Sequence, residues 1–371
     1  MARYLFSSHD GYGLGHTRRN TLIAQALLDH DPYAEITVVS GISPKRWVFS
    51  VPGIQVVHVP PLIKDADGSF KSSQTTFEAA VAERQRVFKR EIETFRPDVV
   101  IVDRHPFGIA DELRHGLLAA KASGASLVLG LRDVLDEPSI VQGELAGRGW
   151  SGATDLYDHF LVYGSQNVCD HQEEYGLGVT PTYCGYVTEI SASPVDKRDL
   201  LVVAAGGGGD GEQVFKLGAS ILASHAHWKG LLAVGPYADD QALKSLGINE
   251  PGRIEVRKNV QGYTSILARA WATIQMAGYN STFEALGAGL RPILVPRRSP
   301  RREQAIRATR LAAMGLADVV DSGASSSEVT WLLGRSRLLE NGSLHSAGIS
   351  LDGAQRAAEL LASMVMPASI Q

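Results

Sequence analysis

Met276-Ala-Gly-Tyr-Asn-Ser-Thr-Phe-Glu-Ala-Leu-Gly-Ala-Gly-Leu-Arg-Pro-Ile-Leu-Val-Pro296 reads as the end of a strand, a tight turn at Gly278, a short helix opening at Ser281, a stop at Gly287 and Gly289, and a new strand from Ile293 to Val295. A helix entered this way turns its free N–H groups and the positive end of its dipole toward whatever lies beyond the preceding strand, which suits a phosphate or diphosphate. The plain reading of Glu284, three residues after Ser281, is a capping box in which its carboxylate bonds the backbone at the helix start. The alternative is that Glu284, one turn into a diphosphate-binding helix, accepts hydrogen bonds from the two ribose hydroxyls of a nucleotide.

Three blocks extend this stretch: Ala277-Gly-Tyr-Asn-Ser-Thr-Phe-Glu284, then Ala288 to Pro296, then Arg302-Glu-Gln-Ala-Ile-Arg-Ala308 with Leu311 to Gly315. Together they resemble the donor-binding segment of GT-B glycosyltransferases, most of all the MurG-like group with its family 28 C-terminal type of donor domain. Within that group they look like a predicted bacterial glycosyltransferase family with AGYN and PRxEQxxRA signatures. The likeness reaches back to Gly13-Leu-Gly-His16 and so spans most of the chain. It implies an α/β fold of GT-B type, two doubly wound Rossmann-like domains facing each other across a cleft. The motifs speak to the donor far more than to the acceptor.

The rest of the chain is compatible with that expectation. Its 371 residues are too many for one ordinary core and suggest two. A net charge of -4 provides no general basic field for nucleic acid. Cys169 and Cys184 are too few for a disulfide framework and lack metal-ligand spacing. The chain enters a strand directly after Met1, without the pattern of a signal peptide, and no apolar run approaches the roughly 20 residues of a membrane span. A cytoplasmic protein is expected.

Strands are predicted at Tyr4 to Ser8, Glu35 to Val39, Ile54 to Val59, Val99 to Val102, Leu127 to Leu131 and His159 to Val162, alternating with helical stretches such as Thr17 to Leu28. This alternation predicts a mostly parallel, doubly wound sheet. The elbow His9-Asp-Gly-Tyr-Gly-Leu-Gly-His16 falls at the carboxyl end of strand one, where open α/β sheets bind ligands. It is not a dinucleotide fingerprint: its third glycine is displaced by one, and strand two ends in Ser40-Gly41 without an acidic residue. The long connection from Ile63 to Phe77 reads either as an acceptor lid or as a solvated loop. Thr180 to Val187 reads as a last strand and Ser191 to Asp196 as a linker.

The second half starts like the first, with a strand from Asp199 to Ala205, a glycine loop from Gly206 to Gly211 and a helix from Glu212 to Ala223. Further strands are expected at Gly230 to Val234, Arg253 to Val256, Thr273 to Met276 and Ile293 to Val295. The expected domains are 1–190 for the acceptor, 197–352 for the nucleotide sugar, and 353–371 as a helix, Ala354 to Met366, packing back on the first.

His16 is the candidate general base, since it ends the glycine elbow and matches the position at which the MurG-like group uses a histidine. His9 and His105 are its competitors. Asp103, following the strand from Val99, is expected to orient it, with Asp10 as substitute. Donor contacts are expected from Gly207, Gly208, Gly278, Tyr279, Asn280, Ser281, Thr282 and Glu284, and the resemblance adds Glu303, Gln304 and Arg307. Acceptor contacts are expected from Gly13, Gly15, Arg104, His105 and Arg132. Seven arginines and one acid lie between Arg291 and Arg310, either a solvated basic face or, in part, phosphate-binding forks.

Many retaining GT-B enzymes carry two glutamates with seven residues between them. Here the partner positions of Glu284 are Met276 and Pro292, which points to inversion. The expected protein is an inverting glycosyltransferase with no cofactor and no metal, taking a nucleotide sugar, UDP favoured, and an unidentified acceptor. A homodimer stays open. The rivals are a nucleotide-sugar 2-epimerase, which would use Asp10, Asp103 and Asp133, and a non-catalytic protein that binds a sugar nucleotide.

Overall fold

A computed structural model describes residues 1–8, 15–42, 51–64, 69–190, 198–206, 211–235, 246–248, 250–258 and 260–365. The chain divides into two compact units. Unit 1 is Met1–Val187 with Asp352–Gln371, and unit 2 is Thr188–Leu351.

Unit 1 is built on β1 (Arg3–Ser8), β2 (Glu35–Ser40), β3 (Ile54–His58), β4 (Leu62–Lys64), β5 (Phe70–Ser72), β6 (Val99–Asp103), β7 (Ser126–Arg132), β8 (His159–Tyr163) and β9 (Thr182–Tyr183). Its helices are α1 (Gly15–His30), α2 (Phe77–Phe95), α3 (Arg114–Ala122), α4 (Pro138–Leu145), α5 (Ala153–Leu156) and α6 (His171–Tyr175). The main sheet runs β3-β2-β1-β6-β7-β8-β9, with every pair parallel. Its central strands are apolar runs because helices cover both faces, and Leu5, Phe6, Val100, Ile101, Leu127 and Leu129 are all buried. The order reverses between β1 and β6, whose carboxyl ends lie side by side, with Ser7 opposite Val102. That is the switch point at which such sheets bind ligands.

The connection from Ile63 to Phe77 is not a plain loop. It carries an antiparallel hairpin of β4 and β5 before α2 begins under a Thr76 cap. The last strand is also shorter than Thr180 to Val187: only Thr182 and Tyr183 join the sheet, while Val187 bridges Asp352.

Unit 2 contains β10 (Leu200–Ala204), β11 (Lys229–Val234), β12 (Ile254–Lys258), β13 (Ala270–Gln275), β14 (Ile293–Leu294) and β15 (Asp318–Val319). Its helices are α7 (Glu212–Ser224), α8 (Tyr263–Arg269), α9 (Tyr279–Gly287), α10 (Glu303–Ala313), α11 (Ser326–Leu333) and α12 (Ser343–Ser346). The sheet, β12-β11-β10-β13-β14-β15, is again parallel throughout and repeats the winding of unit 1. Its switch point lies between β10 and β13. One sheet face packs on Val214, Phe215, Ile221 and Val329, the other on Leu267, Ala285 and Leu290.

The chain returns to unit 1 in α13 (Gly353–Ser363), which packs along α1. Gly353 donates to the Tyr186 carbonyl at 3.1 Å, and a Cβ there would meet the Gly185 carbonyl at 2.6 Å, so the returning backbone requires glycine. Among the described residues no helix is long and apolar enough to cross a membrane.

Candidate functional site

β1 ends at Ser8 at the switch point of unit 1, and α1, the next described element, carries His16 in its first turn. Asp103 is the last residue of β6, the neighbouring strand. The two side chains meet, His16 Nδ1 standing 2.8 Å from Asp103 Oδ2. A carboxylate only accepts, so this contact places the proton on Nδ1 and leaves the lone pair on Nε2, the tautomer a general base needs. Asp103 is buried and its side chain is 1% exposed, whereas that of His16 is 21% exposed.

The sequence reading missed a third member. Arg19, one turn beyond His16 on the same face of α1, places Nη2 2.6 and 2.7 Å from the two Asp103 oxygens and 3.1 Å from His16 Nδ1. Asn20 Nδ2 reaches Asp103 Oδ2 at 3.5 Å, and the Arg19 guanidinium lies over the Tyr163 ring, 4.9 Å from its centre. Tyr163 closes β8, and a Cβ on Gly130 of β7 would meet its hydroxyl at 2.6 Å, so the glycine admits the ring. The i,i+3 spacing of His16 and Arg19 was the available signal. It had no meaning until Asp103 was brought to it.

Arg104 follows Asp103 in a left-handed conformation, φ +70, rare for a side chain of this kind. Its main chain donates to Gly130, and its guanidinium reaches Glu144 on α4 at 2.5 Å, so it is tied to an acid of its own unit. His105 is half-buried. Arg132 ends β7, donates to the Leu135 carbonyl, and offers its own carbonyl to His171 Nε2 at 3.0 Å. Gly15 is the first residue of α1, while Gly13, like His9 and Asp10, lies outside the described residues.

In unit 2 the helix after β13 opens at Tyr279 rather than Ser281. Gly278 is its N-cap, no side chain caps it, and the first intrahelical bond runs from Thr282 N to Gly278 O. Ser281 therefore lies inside the helix, its hydroxyl turned back to Gly278 O, and the capping-box geometry with Glu284 is not formed. The N–H groups of Tyr279, Asn280 and Ser281 precede the first intrahelical bond, which gives the half-buried turn the donors and dipole that attract an anion.

This turn is braced from below. Gln275, fully buried at the end of β13, donates to the Ser281 carbonyl at 3.0 Å and accepts from Tyr263 and Thr273 hydroxyls at 3.4 Å. Arg307, 1% exposed, donates to the Ala277 carbonyl at 2.8 Å and lies 5.8 Å from the Tyr279 ring centre. Thr282 and Glu284 are also buried. Glu303 is buried against Arg297, and Gln304 Oε1 accepts from the Arg297 main chain at 3.2 Å.

The basic run is less free than its composition suggested, because acids from later in the chain reach it: Asp318 pairs with Arg291 and Asp321 with Arg298. Gly206, at φ +68, and Gly211, where a Cβ would meet that of Ala205 at 2.0 Å, frame the glycine loop. Gly207 and Gly208, between them, lie outside the described residues, as does the stretch Ser191 to Asp196.

No protein-family model matches the chain, and no curated protein matches it by sequence. Solved structures do match in fold. The glycotransferase of kitacinnamycin is 15% identical, with a TM-score of 0.67 over 98% of this chain and 99% of its own. Acinetobacter baumannii MurG, 13% identical, has a TM-score of 0.59 over 98% and 100%. A Medicago truncatula UGT in complex with UDP-glucose, also 13% identical, has a TM-score of 0.60 over 98% of each chain. The fold is GT-B. Of the residues described above, His16, Arg19 and Asp103 lie at the switch point of unit 1, and the Gly278 turn follows β13 at the switch point of unit 2.

Proposed function

We propose that this GT-B chain is an inverting, metal-independent glycosyltransferase that moves a sugar from a nucleotide-diphosphate sugar to an acceptor hydroxyl or amine. The observation that carries the reading is the 2.8 Å contact of His16 with Asp103 at the switch point of unit 1. It supplies an oriented imidazole whose Nε2 carries the lone pair that takes the acceptor's proton as the acceptor attacks the anomeric carbon.

The leaving diphosphate gathers charge as the glycosidic bond breaks. In this reading the uncapped start of α9, where the N–H groups of Tyr279, Asn280 and Ser281 precede the first intrahelical bond beside Gly278 and Thr282, meets that charge together with Gly207 and Gly208, a role that calls for no metal ion. Glu284 takes the ribose hydroxyls in this reading, Glu303 and Gln304 the sugar, and Arg307 holds the turn from beneath. The UDP-glucose complex of the Medicago truncatula UGT favours a UDP donor. The acceptor binds to unit 1 near Gly13, Gly15, His105 and Arg132, with Arg104 shaping the loop beside Asp103. A cytoplasmic setting belongs to the same proposal.

The test is thermal stabilisation of the full chain by UDP, dTDP, GDP and ADP, followed by release of nucleotide from the matching nucleotide sugars, with and without EDTA. Binding raises the melting point by mass action. Stabilisation by one diphosphate and EDTA-resistant release support the reading. No stabilisation by any of them, or release that requires added Mg²⁺ or Mn²⁺, overturns it. A change in the sugar without an acceptor would mark an epimerase.

A further inference from the structure

We infer that Arg19 is a positioning residue for His16: by holding both oxygens of Asp103 it fixes the carboxylate on Nδ1 and takes up its charge, which keeps the imidazole neutral and able to accept a proton. The inference rests on the reading of His16 as the base.

The argument begins with charge. With Asp103 ionised and Arg19 charged, the trio is neutral when His16 is neutral and carries a full positive charge when His16 is protonated. Without Arg19, the pair that remains would be negative when His16 is neutral and balanced only when it is protonated. An unshared buried aspartate 2.8 Å from Nδ1 therefore favours an imidazolium, which has no lone pair to offer, and the guanidinium removes that preference. Burial strengthens the effect, since the Arg19 and Asp103 side chains are 3% and 1% exposed and solvent screens little between them.

Geometry supplies the second part. A carboxylate held only by an imidazole can rotate about its bond to Cβ. Here one Nη2 bonds both oxygens, at 2.6 and 2.7 Å, and this fixes the plane of the group with Oδ2 toward His16. The guanidinium is held in turn by the Tyr163 ring, which fits only because residue 130 has no side chain. Among the described residues, the imidazole meets Asp103 from β6 and Arg19 from its own helix, with Tyr163 of β8 behind the guanidinium, while His9 and Asp10 lie outside the described residues. Arg18 precedes Arg19 on α1, and Arg104 and His105 follow Asp103 on its loop.

The experiment compares Arg19→Met, Arg19→Lys and His16→Ala in the full chain. Nitrogen NMR of labelled histidine, with the His16 signal identified by its loss in His16→Ala, should show a neutral Nδ1–H ring in the wild type at neutral pH and a protonated ring in Arg19→Met. Nucleotide release should fall by about 10- to 100-fold at neutral pH in Arg19→Met, no more than the roughly 10² to 10⁴ that general base catalysis itself contributes. It should recover in part at mildly alkaline pH and on addition of guanidinium ion at non-denaturing concentration, with KM for the donor unchanged. Arg19→Lys, which keeps the charge but is shorter and lacks the flat guanidinium that lies over the Tyr163 ring, should fall between, and it carries the comparison if the methionine variant does not fold.

A ring in Arg19→Met with wild-type protonation and tautomer overturns the inference. So does a loss of turnover that is equal at every pH and insensitive to guanidinium, the mark of a scaffold role alone. If His16→Ala keeps its turnover, the reading of the base fails, and the NMR comparison still decides what Arg19 does to the ring.

Discussion

Gln275 reaches from the last position of β13 to the carbonyl of Ser281, 3.0 Å away, so the strand end and the first turn of the following helix are held by one buried amide. Because Tyr263 and Thr273 hydroxyls point at the same amide's oxygen, its orientation is fixed as well. Gln275→Leu should therefore loosen the Gly278 turn. The expected cost is about 1 to 3 kcal/mol of stability, the range for an unsatisfied buried polar group, and nucleotide affinity should fall with it. Calorimetric binding of UDP at a temperature where the variant is fully folded checks this. Unchanged affinity would separate the brace from the anion site.

His16→Ala should lower turnover by about 10² to 10⁴, the usual contribution of a general base, with donor affinity nearly unchanged. Asp103→Asn should lower it less, but that variant sets a neutral amide where the Arg19 guanidinium faces a buried carboxylate. Loss of stability of about 3 to 5 kcal/mol is expected from that alone. Steady-state kinetics must accordingly be read beside a melting curve. A His16→Ala enzyme with most of its turnover would move attention to His9 and His105.

Glu284→Gln tests the ribose assignment. Since Ser281 lies inside α9 and not at its cap, the substitution removes no capping box, and a drop in nucleotide affinity of about ten- to a hundredfold is expected from a lost hydrogen bond to a charged group, worth about 1.5 to 3 kcal/mol. Isothermal titration with the nucleotide that stabilises the wild type provides the measurement. A variant that melts early and still binds normally would assign the carboxylate to the core.

His171 gives a pH dependence with a definite sign. Burial disfavours its charged form and holds its pKa below the ordinary 6.5, against the Cys169 and Arg132 carbonyls and the charges of Asp133 and Glu174, which pull the other way. The unfolded chain then binds more protons than the folded one below pH 6.5, so this group's stabilising share is complete above that value and is lost as pH falls toward the folded pKa. Melting temperature should decline on the acid side of neutrality. In His171→Phe the acid decline should be shallower, with a loss at pH 8 of about 1 to 3 kcal/mol from the orphaned Arg132 carbonyl. An acid decline as steep in the variant as in the wild type would refute the assignment.

Strand positions and the doubly wound class were legible in the sequence because buried parallel strands are apolar runs, as in Val99 to Val102, and because Gly278 and Gly287 punctuate the helix between them. Helix starts were less so. Ser281 looked like a cap by spacing, yet Gly278 is the residue whose φ of -65 and ψ of 147 begin the turn. The basic run from Arg291 looked free because Asp318 and Asp321, which pair with two of its arginines, lie at the start of β15 and just beyond it. Arg19 was illegible for the same reason: its partner lies 84 residues away and is brought to it only by the pairing of β1 with β6. Local pattern records what a residue does for its own element, and the His16–Asp103 pair was reached only through the rule that strand carboxyl ends gather at one site, a rule that says nothing of Arg19.

The last helix changes how this protein is made. α13 packs on α1, the helix bearing His16 and Arg19, but it is synthesised after the whole of unit 2. On the ribosome the first sheet can form early, since its strands lie within the first half of the chain, and domains tend to fold in the order they emerge. Its α1 must nevertheless wait, one flank bare, until residue 353 and those after it are available. A chain cut short before Asp352 would have every residue of the His16–Asp103–Arg19 trio and still lack the support behind the helix that carries two of them. Support for the helix that carries His16 and Arg19 thus waits until unit 2 and the residues that follow it have been made, and a product truncated before Asp352 lacks that support along with those residues.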